Sequence, residues 1–89
     1  MHNKGMDFPQ YRKLSNEKVF YKILNDREFE EIQLIGTVAK LHHIVAKQYP
    51  EMLKIQDLLS LENEAYLLSR EEEFELQKIK CSFSNDKLL

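Results

Sequence analysis

The chain has 89 residues, of which 43% are hydrophobic and 31% are charged, and its formal net charge is −2. A chain of this length forms one domain with one modest core, and its composition excludes both a disordered chain and a membrane-embedded chain. The small net charge gives no general attraction to nucleic acid or to anionic lipid, because both need a concentrated basic surface.

Residues 1–17 combine Gly5 and Pro9 with single apolar residues that follow no period. This pattern indicates a flexible or loosely docked N-terminal arm, in which Phe8 and Tyr11 are the side chains able to dock on a core. The arm lacks the apolar stretch of a signal peptide, so we expect a cytoplasmic protein.

Residues 19–24 predict a short strand, because β-branched and aromatic side chains alternate between its two faces. An acidic turn follows. Phe29, Ile32 and Ile35 then recur at a spacing of three, which predicts a helix over 26–35 that ends at Gly36.

Residues 37–49 fit two structures. As a strand they alternate polar and apolar side chains, and Thr, Val and Ile favour that state. As a helix they would continue the preceding one through Gly36, at a cost of about 1 kcal/mol relative to alanine. The strand is favoured, and the helical alternative would make the whole chain an all-α bundle.

Pro50 suits the first turn of a helix, and apolar residues follow it at helical spacing from Met52 onwards. Residues 65–68 predict a short strand. Ser69 and Glu72 have the spacing of a capping box, which predicts a final helix over 70–80. A terminal hairpin is the alternative, because Phe74 and Leu76 alternate as they would in a strand. Segment 64–79 thereby weakly repeats the strand-turn-helix pattern predicted for residues 18–35.

These elements predict a small single α+β domain in the order β-α-β-α-β-α, with the helices packed on one side of a small sheet. A compact all-α bundle is the alternative. The predicted boundaries are an arm over 1–17, a domain over 18–81 and a frayed tail over 82–89.

The residues that could carry chemistry form no convincing site. His42 and His43 are adjacent, so they point to different faces and cannot easily chelate one metal ion. Cys81 is the single cysteine, and a lone cysteine is more often an inert apolar residue than a nucleophile. Two glycines cannot form a Gly-rich phosphate loop. The sequence therefore predicts no cofactor, no metal and no enzymatic activity.

The predicted strand that leads into an acidic segment, D-x-E-F-E-E-I over 26–32, resembles the pattern of small bacterial proteins. This resemblance implies no activity. The best hypothesis is a non-enzymatic protein-interaction or adaptor module that associates with itself, most simply as a homodimer. Aromatic and Met side chains anchor interfaces. The candidate interface residues are Tyr11, Tyr49, Met52 and Tyr66.

Two alternatives stay open. A nucleic-acid-associated accessory protein could use the basic N-terminal arm, and a minimal metal-binding protein or enzyme could use His42 or His43. The basic segment up to Lys22 and the acidic segment 62–75 could also meet, either within one chain or between two chains.

Overall fold

The computed structural model describes residues 7–87 and the side chains of residues 7–82. In this part of the chain, five strands form one antiparallel sheet that carries two helices. The elements in chain order are β1 (Gln10–Leu14), β2 (Val19–Asn25), β3 (Glu28–Ile35), β4 (Val38–Val45), α1 (Tyr49–Ser60), β5 (Tyr66–Leu68) and α2 (Glu71–Lys87). The order across the sheet is β4-β3-β2-β1-β5.

The first four strands form a meander, because each connection is a tight turn with suitable residues. Between β1 and β2, the Asn16 side chain accepts a hydrogen bond from the Lys18 N–H at 2.9 Å. Between β2 and β3, the Asn25 side chain accepts one from the Arg27 N–H at 2.8 Å. Such Asx turns reverse the chain locally. Between β3 and β4, Gly36 has a φ of 60°, which suits the first position of a two-residue hairpin turn.

Helix α1 carries the chain from one edge of the sheet to the other. Its first turn contains Pro50, and the Glu51 carboxylate accepts hydrogen bonds from the N–H groups of Lys47 and Gln48. It ends at Ser60, and the next residue, Leu61, has a left-handed φ of 59° and donates its N–H to the Asp57 carbonyl. The chain then returns as β5, antiparallel to β1.

The two helices lie on opposite faces of the sheet. Ile55 and Leu58 of α1 share a core cluster with Tyr21 of β2. Phe74 of α2 belongs to a second cluster with Phe20 of β2. Because successive residues of a strand point to opposite faces, Phe20 and Tyr21 place these clusters on the two sides of the sheet. The prediction of helices on one side was therefore wrong.

The helix predicted over 26–35 was also wrong, since this segment forms β3 after its turn. Phe29 and Ile32 are both buried, but Phe29 faces α1 and Ile32 faces α2. A strand covered on both faces need not alternate apolar with polar residues. The spacing of three therefore came from two buried faces of one strand.

The element order also differs from the prediction. Four strands precede α1, so the predicted order β-α-β-α-β-α with three helices was wrong, and the sheet excludes the all-α bundle. The small α+β domain itself is confirmed. Residues 37–49 contain β4, as favoured from the sequence, and Pro50 lies in a helix.

Parts of both predicted terminal segments form regular structure, while residues 1–6 and 88–89 of those segments lie outside the described residues. The predicted arm contains β1, which pairs with β2 on one side and β5 on the other. Helix α2 continues to Lys87, into the segment predicted to fray. At its start, the Ser69 hydroxyl donates to Glu73, whereas the sequence suggested Glu72 as its capping partner.

Candidate interaction surface

Strand β4 is the most exposed regular element of the sheet. It forms one edge, and six of its eight side chains are exposed. The opposite edge is β5, which has three residues. Short edge strands are one way in which proteins protect a sheet from unwanted pairing, and β4 lacks this protection.

The turn that joins β3 and β4 decides which backbone groups of β4 point outward. Ile35 and Val38 flank the two-residue turn and pair with each other. Residues of antiparallel strands alternate between hydrogen-bonded and non-hydrogen-bonded pairs, starting here from the hydrogen-bonded pair at the turn. From the middle of the strand onwards, the residues at non-hydrogen-bonded positions direct their N–H and C=O groups away from β3, and these residues are Leu41, His43 and Val45.

The side chains along β4 are apolar and basic. Leu41 is 40% exposed and Val45 is 43% exposed. Lys40, His42 and His43 are also exposed, and the sequence from Ile32 to Pro50 contains no Asp or Glu. This edge therefore offers hydrophobic contact and positive charge together.

Carboxylates of β3, the strand paired with β4, lie next to the basic side chains of this edge. The His43 imidazole lies 2.9 Å from Glu28 Oε2. The Asn25 side chain donates to the other oxygen of Glu28, and these two contacts, with Asn25 first, lower the pKa of Glu28. Glu31 pairs across the strands with His42. Glu28 thus contacts His43, while Glu31 lies beside His42 in the strand register on the opposite face of the sheet.

The four predicted interface residues lie in different environments. The Tyr11 ring packs 6.1 Å from the Phe74 ring, under α2. Met52 and Tyr66 pack against the core cluster beneath α1. Tyr49 is the most exposed member, with 72% of its surface accessible at the start of α1. The structure does not bring the four together on one surface.

Tyr66 belongs to an aromatic cluster that holds a lysine. The Lys54 Nζ lies 5.3 Å from the ring centres of both Tyr21 and Tyr66, and the two rings meet edge to face at 5.9 Å. Burial is the main cause that raises the pKa of Tyr21 to about 12. Burial by itself lowers the pKa of Lys54, but contacts with the Tyr66 and Tyr21 side chains together outweigh burial, so the pKa is raised. A neutral phenol and a retained ammonium make this a packing cluster, in which the cation covers two ring faces.

Arg12 is a buried cation that contacts carbonyl oxygens. It is 5% exposed, and its Nε donates to the Leu58 carbonyl at 2.7 Å. Its Nη1 donates to the Tyr11 carbonyl at 2.7 Å and to the Gln10 side chain at 3.3 Å. Burial lowers the pKa of Arg12. Because Leu58 lies in the last turn of α1, Arg12 places positive charge at the negative end of the helix.

Cys81 and the histidines do not converge. Cys81 is buried with Phe20, Ile32 and Phe74, and burial raises the pKa of its thiol, which disfavours the reactive thiolate. Within residues 7–82, no group of three or more His, Cys, Asp or Glu side chains is arranged to hold a metal ion. His42 and His43 point to opposite faces of β4, as their adjacency indicated.

The sequence could not identify β4 as an edge. Its alternating pattern predicted a strand, but an edge is defined by the strands that pair with it. The basic and apolar composition of 37–47 was the one available signal.

Comparisons with protein-family models, with curated proteins and with solved structures gave no match to this chain. Neither helix, over the residues that the structure describes, is long and apolar enough to cross a membrane. The function must therefore be inferred from the surface and chemistry of the chain itself.

Proposed function

We propose that this protein is a non-enzymatic protein-interaction module that binds an extended acidic segment of a partner protein as an additional strand beside β4. The observation that supports this function is the eight-residue edge strand with six exposed side chains. A sheet edge is a template for strand addition, in which main-chain hydrogen bonds supply affinity and alternate side chains supply specificity.

The geometry of β4 suits strand addition. Leu41, His43 and Val45 direct their main-chain groups outward along the middle and the end of the strand. Leu41 and Val45 share a face of the sheet, so a bound segment gains apolar contact on that face. The three-residue β5 offers a much shorter template at the other edge.

The charge of β4 favours an acidic partner over a second copy of β4. Antiparallel self-pairing about Leu41 would place Lys40 opposite His42 of the second copy, twice. Two basic side chains would then lie opposite each other across the two strands, which is unfavourable. A segment with carboxylates at alternate positions meets Lys40 and His42 favourably instead.

The positions of the residues that could act as nucleophile or base support the proposal that the protein is not an enzyme. Cys81 is 5% exposed within the α2 core cluster. His42 and His43 project from opposite faces of β4, so they cannot act together on one substrate atom.

The direct test is peptide binding measured by fluorescence anisotropy. The probe is a fluorescein-labelled peptide of alternating valine and glutamate, eight residues long to match β4. A matched peptide of alternating valine and lysine serves as the control ligand. We expect saturable binding of the glutamate peptide that weakens as salt is added, and much weaker binding of the lysine peptide.

Two variants locate the binding surface. Lys40→Glu should weaken binding of the glutamate peptide about tenfold or more, which corresponds to about 1.4 kcal/mol. Lys18→Glu makes the same charge change at an exposed residue of the β1–β2 turn, two strands away, and should bind nearly as wild type does. Absence of binding, equal binding of both peptides, or equal loss in both variants would overturn the proposal.

A further inference from the structure

His42 and His43 are neighbours on β4, but they have different charged neighbours. Successive residues of a strand point to opposite faces of a sheet. His42 lies on the face that carries α1, because its partner Glu31 pairs in turn with the buried Tyr21 of the α1 cluster. His43 lies on the face that carries α2. The two imidazoles are therefore placed to interact with different charges.

Carboxylates of the chain itself lie next to the His43 side chain. Glu28 Oε2 is 2.9 Å from its Nε2, and Glu30 is its cross-strand partner on β3. Lys78 of α2 lies 3.9 Å from Glu30. When His43 gains a proton, the new charge meets Glu28 directly. This ion pair can form in the free protein and in a complex alike, so it contributes little to the difference between the two.

His42 differs in its ion pairing. Among the side chains that the structure describes, His43 pairs with a carboxylate and His42 does not. The cross-strand neighbour of His42, Glu31, accepts a hydrogen bond from the Gln33 side chain at 3.3 Å. Lys40 precedes His42 by two residues and lies on the same face. Because His42 is exposed, a charge gained on its ring is accessible to a bound partner.

Other titratable groups lie on the same face as His42. They are Glu31, Lys40, Tyr21, Lys54 of α1 and, at the start of α1, Glu51. Burial is the main cause that raises the pKa of Tyr21 to about 12, so this phenol stays neutral near pH 7. Of these side-chain types, histidine is the one that ordinarily changes charge between about pH 5 and pH 8.

We infer that acid strengthens the binding of an extended acidic segment at β4, and that His42 is the residue responsible. The inference rests on the proposed function and adds its regulation. Strand addition places alternate side chains of the segment on the face of Lys40 and His42. A proton gained by His42 turns a neutral contact with a carboxylate into an ion pair that forms only in the complex. Such a difference between the free and bound states is what changes affinity.

Proton uptake is a second observable of the same effect. If protonation of His42 tightens binding, then binding of the segment stabilises the proton on His42 to the same extent. Formation of the complex near pH 7 should therefore take up a fraction of a proton from the buffer. His43 should contribute less to this uptake, because Glu28 matches its charge in both states.

Isothermal titration calorimetry of the full chain measures both effects. The probe is the eight-residue peptide of alternating valine and glutamate, unlabelled and at constant low ionic strength. We expect its Kd to fall about threefold to fivefold between about pH 8 and about pH 6, the effect of one exposed ion pair. The glutamates of the peptide stay ionised over this range. Titrations in two buffers of different ionisation enthalpy should show the proton uptake.

Matched variants assign the effect to one imidazole. His42→Gln keeps a neutral hydrogen-bonding side chain, so it should bind nearly as wild type does at the alkaline end of the range. It should lose both the pH dependence and the proton uptake. His43→Gln removes the neighbouring imidazole in the same way and should keep most of both. Circular dichroism of each variant at both ends of the pH range confirms folding.

The outcomes distinguish the regulation from the proposed function. Absence of binding at every pH would overturn both. Binding with the same Kd at both ends of the pH range would overturn the regulation alone. A pH dependence that survives His42→Gln, or that His43→Gln abolishes, would do the same. Loss of the pH dependence and of the proton uptake in His42→Gln alone would support the regulation.

Discussion

Lys13 Nζ lies 3.0 Å from Glu73 Oε2, and this ion pair ties β1 to the first turn of α2. The basic N-terminal segment and the acidic C-terminal segment therefore meet within one chain. Glu73 also accepts a hydrogen bond from the Ser69 hydroxyl just before the helix. Both contacts favour the ionised carboxylate of Glu73, so the stability that they give to the packing of α2 against β1 depends on pH.

The first prediction concerns Glu73 and acid. The Ser69 hydroxyl, and after it Lys13, lowers the pKa of Glu73 below its ordinary value of 4.5. A lowered folded-state pKa stabilises the protein above that value, and the stabilisation is lost as pH falls through the folded pKa. Glu73→Gln should therefore lower the urea midpoint near neutral pH, and the difference from wild type should shrink when the midpoint is measured below pH 4.5.

Glu62→Gln is the matched control, because Glu62 is exposed in the loop between α1 and β5. It should show almost no difference from wild type at either pH. A constant difference between Glu73→Gln and wild type across the whole pH range would contradict a role for the ionised carboxylate.

The second prediction concerns Tyr21 and alkali. Burial is the main cause that raises the pKa of Tyr21 from 10.0 to about 12. The neutral phenol thus stabilises the folded state below pH 10.0, and this contribution is lost as pH rises towards 12. Unfolding measurements over this interval should show wild type losing on the order of 1–2 kcal/mol more than Tyr21→Phe does.

The ultraviolet absorbance of tyrosinate gives an independent check on the same residue. Tyr21→Phe should remove a late step from the alkaline absorbance titration of the folded protein. If the missing step falls near pH 10, the phenol is not protected in the way that its 2% exposure indicates.

The third prediction concerns the buried Arg12. Lysine can retain the charge but not the planar fork that reaches the Leu58 and Tyr11 carbonyls together. Arg12→Lys should destabilise the fold by about 2 kcal/mol, since hydrogen bonds to a charged group are lost in a buried setting. Chemical denaturation gives the free energy of unfolding, and Arg27→Lys at an exposed turn position is the control. Equal losses in both variants would show that the fork is dispensable.

The fourth prediction concerns Gln77, a buried polar residue of α2. The residue is 8% exposed, and its Oε1 has no hydrogen-bond partner among residues 7–82. Methionine has a similar length and no amide to desolvate, so Gln77→Met should raise the free energy of unfolding by about 1 kcal/mol. Gln56→Met, on the exposed side of α1, should change it little. Destabilisation by Gln77→Met would indicate that the amide is bonded in solution.

Local sequence signals predicted the elements that depend on local chemistry. Pro50 followed by apolar residues at helical spacing predicted α1, and the β-branched run that begins at Val19 predicted β2. Residues 37–49, which contain β4, were favoured as a strand because the alternative required Gly36 inside a helix. In each case the deciding property, a missing N–H, a stiff side chain or a permissive backbone, belongs to the residue itself.

Tertiary structure decided which faces of the strands are covered by helices and which edges of the sheet are left unpaired. Phe29 and Ile32 suggested a helix until α1 and α2 buried opposite faces of β3. Gln10–Leu14 became a strand because β2 and β5 pair with it on both sides. The exposure of β4 likewise depends on strand order and helix docking, which arise from contacts between residues far apart in the chain. A residue's own chemistry sets what it can contact, and long-range packing sets what is left exposed for a partner.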